Sequence, residues 1–141
     1  MINNFINIID KNSITLSELS NLDQDMRTLL NKNESIIYEK SNNLNINIDS
    51  KINHITFLNC KDINLNIHSL VSGIDIKNSE NIKIKIYNSE TTNSINIIKS
   101  SDVYITLKKE YYQKNIYNID KSRMVYFKDE NENIIKIIKK K

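Results

Sequence analysis

The sequence predicts an all-β fold, a right-handed parallel β-helix of about six short coils. The first observation behind this prediction is a repeat anchored on small residues at positions 41, 60, 79, 100 and 122, which are 19, 19, 21 and 22 residues apart. The second observation is that apolar and polar residues alternate on both sides of each anchor, which is the period of a β-strand. Short strands that recur at a nearly constant spacing are typical of a solenoid.

The repeat is clearest around Ser79. Ile74 and Ile76 precede this anchor, and Ile82 and Ile84 follow it. The same frame around the other anchors, Ser41, Cys60, Ser100 and Ser122, contains Ile36, Tyr38, Leu44, Ile46, Ile48, Ile55, Phe57, Ile63, Leu65, Ile67, Ile95, Ile97, Val103, Ile105, Leu107, Tyr117, Ile119, Val125 and Phe127. Each coil therefore has two short strands that meet at a corner, where the small anchor turns inward. The coils must stack, because one coil cannot bury its own apolar face.

Turn residues recur in register at these corners. Residue types that tolerate left-handed backbone stand two positions after the anchors, at Asn43, Asp62, Asn81 and Asp102. The sequence has no proline and a single glycine, Gly73, so it lacks the usual signals of β-hairpins. This lack, together with the constant offset of the corner, favours the solenoid over an antiparallel sandwich of short strands.

The N-terminal end departs from the repeat within what we interpret as a single domain, residues 1–141. Residues 1–33 are expected to form a degenerate first coil, which includes Ile14 and Leu16, and a capping segment. Apolar residues at helical spacing predict a short capping helix near residues 18–30, which would cover the open end of the core.

The C-terminal end also departs from the repeat. Residues 34–128 contain the regular coils, and residues 129–141 are expected to form a C-terminal strand or tail. An apolar cluster in this segment consists of Ile134, Ile135, Ile137 and Ile138. The cluster must either cap the last coil or pair with a partner chain, and a homodimer through a strand at residues 132–138 is one expectation.

Composition limits the classes of function. The net charge is +3, from 20 Lys and Arg and 17 Asp and Glu, which is too balanced to indicate nucleic-acid or membrane binding. One cysteine excludes an internal disulfide and is consistent with a reducing compartment. Short apolar runs and the absence of a signal-peptide pattern predict a cytoplasmic protein without a membrane span. No cofactor motif or metal-ligand spacing occurs, so neither a cofactor nor a metal is expected.

Three consecutive segments carry a family resemblance. They read KINHITFLNCKDINLNI from Lys51, GIDIKNSENIKIKI from Gly73 and SINIIKSSDVYITL from Ser94. These segments resemble the C-terminal β-helix domain of cyclase-associated proteins, also called the C-CAP, cofactor C-like or CARP domain, and the resemblance covers residues 34–128 best. The residues that match the family pattern are Lys51, Ile52, Asn53, Ile55, Asn59, Cys60, Lys61, Gly73, Ile74, Asp75, Ile76, Asn78, Ser79, Ile82, Lys83 and Ile84.

The resemblance implies a right-handed β-helix that binds monomeric actin, promotes exchange of the actin nucleotide and dimerises through its C-terminal strands. It also implies a cytoskeleton-associated protein in the cytoplasm, in a short form without an N-terminal helical domain and proline-rich linker. The end of the sequence departs from the family pattern. Family members continue into a proline-containing segment and a β-hairpin, whereas this sequence ends in KDENENIIKIIKKK.

Outward positions on the second strand of each coil predict a candidate binding face. Stacking places in one column Asn64, Asn66, Lys83, Lys85, Tyr104, Thr106, Tyr126 and Lys128. Tyrosine supplies rigid contact area and lysine attracts an acidic protein surface, although a merely solvated sheet face would show the same pattern. Lys51 and Lys61, at family-matching positions near a corner, extend the face. The candidate partner-binding residues are therefore Lys51, Lys61, Lys83, Lys85, Tyr104, Tyr126 and Lys128.

Catalysis is not expected from the sequence. His54 and His68 are predicted to be surface residues without a carboxylate arranged around them, and no Ser-His-Asp set is apparent. One alternative is a GTPase-activating protein like tubulin cofactor C, which supplies an arginine, but Arg27 and Arg123 do not stand in the Q-x-R-x-H motif of those proteins. Another alternative is an adaptor that binds through residues 134–138.

Overall fold

The structure is a computed structural model that describes residues 6–10, 13–25 and 34–139. Most of the described chain is β-strand, and the only helix among these residues has a single turn. The elements are β1 (Ile6–Asp10), β2 (Ser13–Ser17), β3 (Ser20–Asp25), β4 (Ser35–Glu39), β5 (Asn42–Leu58), β6 (Lys61–Lys77), β7 (Glu80–Ile86), β8 (Ser94–Ile98), β9 (Ser101–Thr106), α1 (Lys109–Tyr112), β10 (Ile116–Asp120), β11 (Arg123–Lys128) and β12 (Ile134–Ile138).

Strand pairing confirms the parallel β-helix. Six two-stranded coils stack in parallel register, so the chain makes about five turns. Coils 1 to 6 comprise residues 13–25, 35–48, 54–67, 73–86, 94–106 and 116–128. The first strands of the coils form one sheet face, which we call face A, and the second strands form face B. A less regular third side connects each coil to the next.

The predicted inward residues form the core. In coil 4, Ile74, Ile76 and Ile82 are completely buried and Ile84 is 2% exposed. Full burial of one such side chain contributes roughly 1.5–3 kcal/mol to the stability of the fold. The column of isoleucines therefore stabilises the stacking of each coil on the next. Tyr117 is only partly buried because it belongs to the last coil, which has no further coil above it.

The anchors form a hydrogen-bonded ladder inside the corner. The Ser79 hydroxyl accepts a hydrogen bond from the Cys60 N–H at 3.1 Å and donates one to the Lys77 carbonyl at 2.8 Å. The Ser79 N–H in turn donates to the Ser100 hydroxyl at 3.1 Å, and the Ser100 N–H donates to the Ser122 hydroxyl at 3.0 Å. A small residue fits inside the corner, and its polar side chain forms a hydrogen bond with a buried backbone group of the previous coil.

Left-handed backbone flanks each anchor on both sides. The predicted positions Asn43, Asp62, Asn81 and Asp102 have φ values between 54° and 57°. The residues directly before the anchors are also left-handed, with φ between 49° and 56°, and the sequence did not indicate this; they are Lys40, Asn59, Asn78, Lys99 and Lys121. Each corner thus bends at two points, and lysine occupies a conformation that is unusual for it.

The N-terminal end corrects one prediction. The capping helix expected near residues 18–30 is not formed over Ser20–Asp25, which is strand β3 and pairs in parallel with β5. Leu19 takes the anchor position of this first coil, where its N–H donates to the Ser41 hydroxyl at 3.1 Å. These residues form a strand despite their helical spacing, because the edge of β5 offers hydrogen-bond partners for their backbone groups. Residues 26–33 lie outside the described residues.

Strand β1 caps the first coil on face A, where it pairs with β2. It runs antiparallel to β2, with Ile6 opposite Leu16 and Asp10 opposite Ser13. Within the first coil, Ile14 and Leu16 are buried as expected. An antiparallel strand at this end covers the backbone edge that a seventh parallel coil would otherwise have to pair with.

The C-terminal apolar cluster caps the last coil. Strand β12 pairs antiparallel with β11, with Tyr126 opposite Ile137, so the expected C-terminal strand closes a β-hairpin although the sequence here departs from the family pattern. Ile135 and Ile138 pack partly buried against the core, whereas Ile134 is 50% exposed and Ile137 is 38% exposed. The strand therefore covers the end of the core and also leaves apolar side chains in solvent.

Candidate binding face

The parallel register assembles five of the predicted binding residues on face B. In one row, Lys83 of β7 lies beside Tyr104 of β9, which lies beside Tyr126 of β11. In the neighbouring row, Lys85 and Lys128 lie on either side of Thr106. We call the five residues Lys83, Lys85, Tyr104, Tyr126 and Lys128 the basic-aromatic patch.

Two stacked tyrosines form the centre of the patch. The ring centroids of Tyr104 and Tyr126 are 4.7 Å apart, and the ring planes differ by only 5°. Loss of hydration raises the pKa of Tyr104, and the neighbouring Tyr126 and Asp102 raise it further. The hydroxyl of Tyr104 therefore stays protonated at neutral pH and remains able to donate a hydrogen bond to a partner.

Lysines surround this stack. The Nζ atoms of Lys83 and Lys128 lie 5.7 and 5.5 Å from the centroid of the Tyr104 ring, within reach of a cation–π interaction. The Nζ atom of Lys85 lies 5.2 Å from the Tyr87 ring. These weak contacts attract the ammonium groups toward the rings, so positive charge and aromatic surface lie side by side on face B.

Four residues of the patch, all except Tyr126, line a shallow groove of about 420 Å³. Its other lining residues include Asn64 and Asn66 on one side and Glu132 on the other. The carboxylate of Glu132 lies 3.9 Å from the Nζ atom of Lys128, a contact too loose and too exposed to neutralise that lysine firmly. A broad, open, basic groove suits the surface of another protein better than a small molecule, which would need a deep pocket.

The row of the patch continues beyond the residues that the sequence indicated. Ile137 of β12 lies beside Tyr126, so the row reads Lys83, Tyr104, Tyr126, Ile137 across four strands. The sequence did not place Ile137 here, because its position depends on the antiparallel register of the hairpin. An exposed isoleucine beside a tyrosine stack adds apolar contact area to face B.

Lys51 and Lys61 do not join the patch. Lys51 lies on the third side of the coil, where it pairs with Ser69. Lys61 lies at the corner that begins β6, beside Glu80 of the next coil. The opposite charge of Glu80 on the adjacent strand gives Lys61 a neighbour within the fold, which the lysines of the patch lack on the strands beside them.

His54 corrects another prediction, because a carboxylate does lie beside it. Its Nε2 atom is 3.1 Å from an Asp75 carboxylate oxygen, and its Nδ1 atom is 3.0 Å from the Ser72 hydroxyl. This set resembles a catalytic triad in composition only, since the single hydroxyl proton of Ser72 is donated to the Asn53 carbonyl at 3.0 Å. Asp75 is also held by the Asn96 side chain at 2.7 Å. The network ties three coils of face A together.

Within the part of the chain that the structure describes, no group of three or more His, Cys, Asp or Glu side chains is placed to hold a metal ion. Among the same residues, no helix is long and apolar enough to cross a membrane.

The fold and the patch together define a class, namely β-helix proteins that present a flat polar and aromatic sheet face. Within that class, the chain belongs to the family described as adenylate cyclase associated (CAP) C terminal, whose family model matches residues 7–137. The family resemblance found in the sequence is thereby confirmed.

A solved structure agrees with this assignment at the level of the fold. The crystal structure of cyclase-associated protein from Cryptosporidium parvum superposes with a TM-score of 0.81 at 19% sequence identity, and the match covers 94% of this chain and 82% of that chain. At this identity the likeness shows a shared fold alone. A comparison with curated proteins finds no match.

Proposed function

We propose that this protein binds monomeric actin through the basic-aromatic patch and promotes exchange of the actin nucleotide in the cytoplasm. The observation that carries the proposal is the Tyr104–Tyr126 stack with two lysines over the Tyr104 ring, on the sheet face of a chain that belongs to the CAP C-terminal family. Rigid aromatic side chains lose little conformational entropy on binding, so they are effective centres of a protein interface.

Nucleotide exchange by this route needs no covalent chemistry. A binding protein accelerates release if it binds the open, nucleotide-free form of its partner more tightly than the closed form. The flat face of the solenoid suits this role because neighbouring coils hold it rigid, so that the partner rather than the β-helix changes shape. The surrounding lysines would accelerate encounter with an acidic surface.

A fluorescence assay tests this proposal directly. Actin monomers loaded with a fluorescent ATP analogue should release it faster in the presence of the protein, and a pull-down should retain actin. The double variant Tyr104→Ala/Tyr126→Ala should weaken binding by about tenfold or more, since central aromatic residues dominate interface energy. The matched control is Asn45→Ala/Asn47→Ala, which alters face B at the second coil and should bind like the wild type.

Two outcomes would contradict the proposal. If the folded wild-type protein at tens of micromolar neither retains actin nor changes the rate of nucleotide release, actin is not its partner. If the tyrosine variant and the asparagine control lose binding equally, actin binds elsewhere on the molecule.

We also propose that β12 pairs two copies of the chain into a homodimer. Within the described residues, β12 pairs with β11 on one edge only, and Ile134 and Ile137 are exposed on it. Unpaired strand edges with apolar side chains favour association. Light scattering after size exclusion should give a dimer for the wild type and a monomer for Ile134→Lys, with Lys136→Gln as the control. A wild-type monomer at high concentration would argue against the dimer.

A further inference from the structure

The corner between face A and face B becomes strongly basic in the last two coils. Lys99 and Lys121 occupy the same position before the anchors of coils 5 and 6, and the Lys99 N–H donates to the carbonyl of Asp120, the residue before Lys121. Directly after the anchors, Ser101 of β9 pairs with Arg123 of β11. Together with Ser100 and Ser122, these residues line a groove of about 280 Å³, which we call the corner groove.

The fold leaves the positive charge of the corner groove without a partner. Lys99, Lys121 and Arg123 are exposed, and none of them forms an ion pair or a side-chain hydrogen bond with another residue in the described ranges 13–25 and 34–139. Lys99 and Lys121 lie in the corresponding bends of neighbouring coils, which stack about 4.8 Å apart, so their like charges repel. The arrangement therefore costs the isolated protein stability.

Earlier coils avoid this cost at the same two positions. Before the anchors of coils 3 and 4 the residues are the neutral Asn59 and Asn78, both in the same left-handed conformation as the lysines. After those anchors the residues are Lys61 and Glu80, which lie beside each other with opposite charges. The corner therefore accepts neutral or compensated residues without loss of the fold, so the fold alone does not explain three cations in the corner groove.

Carboxylates are present near the corner groove but do not neutralise it. Glu80 lies one strand away from Ser101, and Asp102 and Asp120 are adjacent in sequence to lining residues. None of the three forms an ion pair with Lys99, Lys121 or Arg123 in the described chain. An anion from solution is thus free to approach the three cations.

We propose that the corner groove binds a phosphate-bearing ligand. A guanidinium at Arg123 matches two phosphate oxygens at once, the two lysines act as point charges, and the Ser101 hydroxyl can donate to a further oxygen. Three cations within about two strand spacings favour a ligand with more than one negative charge, such as a phosphomonoester or a diphosphate. A free phosphorylated compound and a phosphorylated lipid head group share this chemistry. The site is distinct from the basic-aromatic patch and does not depend on actin binding.

Titration with inorganic pyrophosphate tests the site itself. Backbone amide signals of residues 99–101 and 121–123 in a ¹⁵N correlation spectrum should shift saturably, and the affinity should fall as salt is added. Lys121→Gln/Arg123→Gln should bind pyrophosphate about tenfold more weakly or worse, since each charge-assisted contact is strong. Lys40→Gln is the matched control, because Lys40 stands before the anchor of coil 2 with the same φ of 51°.

A second arm distinguishes the source of the phosphate. Phosphatidylcholine vesicles with phosphatidylinositol bisphosphate should sediment the protein if the ligand is a lipid head group, and vesicles without it should not. Pyrophosphate binding without vesicle binding assigns the site to a free phosphorylated compound. The proposal fails if neither probe binds, if Lys40→Gln weakens binding as much as the double variant, or if poly-glutamate binds more tightly than pyrophosphate. Tyr104→Ala/Tyr126→Ala should leave pyrophosphate binding unchanged, which separates this test from that of actin binding.

Discussion

On face B, coils 1 to 3 and the later coils of the same solenoid use their outer polar side chains differently. On face B of the earlier coils, amide side chains donate to carboxylate and amide oxygens of the preceding coil, with Asn45 donating to Asp23 at 3.0 Å and Asn64 donating to Asn45 at 3.4 Å. From coil 4 onwards, the positions equivalent to Asn45 carry Lys83, Tyr104 and Tyr126, whose side chains contact rings or solvent. The earlier coils use their outer polar groups to hold the stack, whereas the C-terminal end leaves them available to partners.

The cores also differ along the solenoid, because the frame residues are less completely buried at the C-terminal end. Every frame residue of coils 2 to 4 is nearly or fully buried, whereas Tyr117 and Ile119 of coil 6 are only partly buried. Tyr112, Tyr117 and Phe127 pack at centroid distances of 5.0 to 5.6 Å and close that end of the core. Large aromatic rings at the end replace a missing next coil, since they bury more area per residue than isoleucine does. Changes in the two regions should therefore have different consequences.

The largest effect on stability is expected from Gly73→Ala in coil 4. A Cβ atom at this position would lie 1.9 Å from the Ser94 carbonyl oxygen of the next coil, and the φ of 155° is unfavourable for other residues. The backbones of two coils would have to separate, so we expect a loss of about 3 kcal/mol or more in the free energy of unfolding. Urea denaturation measures it. Ser35→Ala, in the same column of face A, should cost far less, and equal losses would show that the coils adapt more readily.

A smaller loss is expected from Ser79→Ala. This change leaves the buried Cys60 N–H without its acceptor, which costs about 1–3 kcal/mol. Cys60→Ser is the matched control, since it supplies at coil 3 the anchor that other coils have and should change stability by about 1 kcal/mol or less. If the two variants unfold at the same urea concentration, the ladder contributes little.

The difference between amides and lysines on face B can be measured in one pair of variants. Asn45→Ala removes a rung between coils and should lower stability by about 0.5 kcal/mol. Lys83→Ala removes a side chain whose contact with the neighbouring strand is a cation–π contact with Tyr104 at 5.7 Å, and it should leave stability nearly unchanged while weakening actin binding. The reverse order of stabilities would contradict the distinction between the two regions.

The smallest effect should be confined to the hairpin and should depend on pH. The backbone N–H of Asn133 holds the pKa of Asp129 below its usual value, partial burial opposes this, and the N–H of Asn131 lowers the pKa further. A lowered pKa means that the carboxylate stabilises the turn above its ordinary pKa of about 4, and that this contribution is lost as the pH falls through the lowered value.

Hydrogen exchange checks this expectation. Protection of the β12 amides, after correction for the intrinsic pH dependence of exchange, should fall at acid pH while protection in coils 2 to 4 stays constant. Asp129→Asn should remove most of the pH dependence in β12. A uniform loss of protection across all coils would mean that the hairpin does not open independently.

Much of the fold could be predicted because the sequence repeats it five times. The anchors, the inward isoleucines and the left-handed positions two residues later all follow from one frame, and Ser41 to Ser122 take their predicted places in the corner. The prediction of a helix near residues 18–30 was wrong because it rested on a local pattern that the repeat does not support. Leu19 and Leu22 have helical spacing locally, but the edge of β5 supplies backbone partners that no local pattern reveals.

The binding face was predictable in part for the same reason. Lys83, Tyr104 and Tyr126 share a column of the repeat, so counting from the anchors brings them together. Ile137 lies outside the repeat and joins the row through a hairpin register that counting does not give. Lys51 was added from its family-matching position and not from the repeat, and it lies on the third side of the coil, whose irregular length prevents its residues from being assigned to columns by counting.

The sequence by itself determined the class of fold, the contents of the core and the turns, because in a stacked solenoid each residue meets its own counterpart in the next coil. Only the tertiary structure decided which side chains of different columns contact each other. It placed Asp75 beside His54 and joined Ile137 to the tyrosine row. These contacts depend on coil lengths and strand registers, which are set when the whole stack packs.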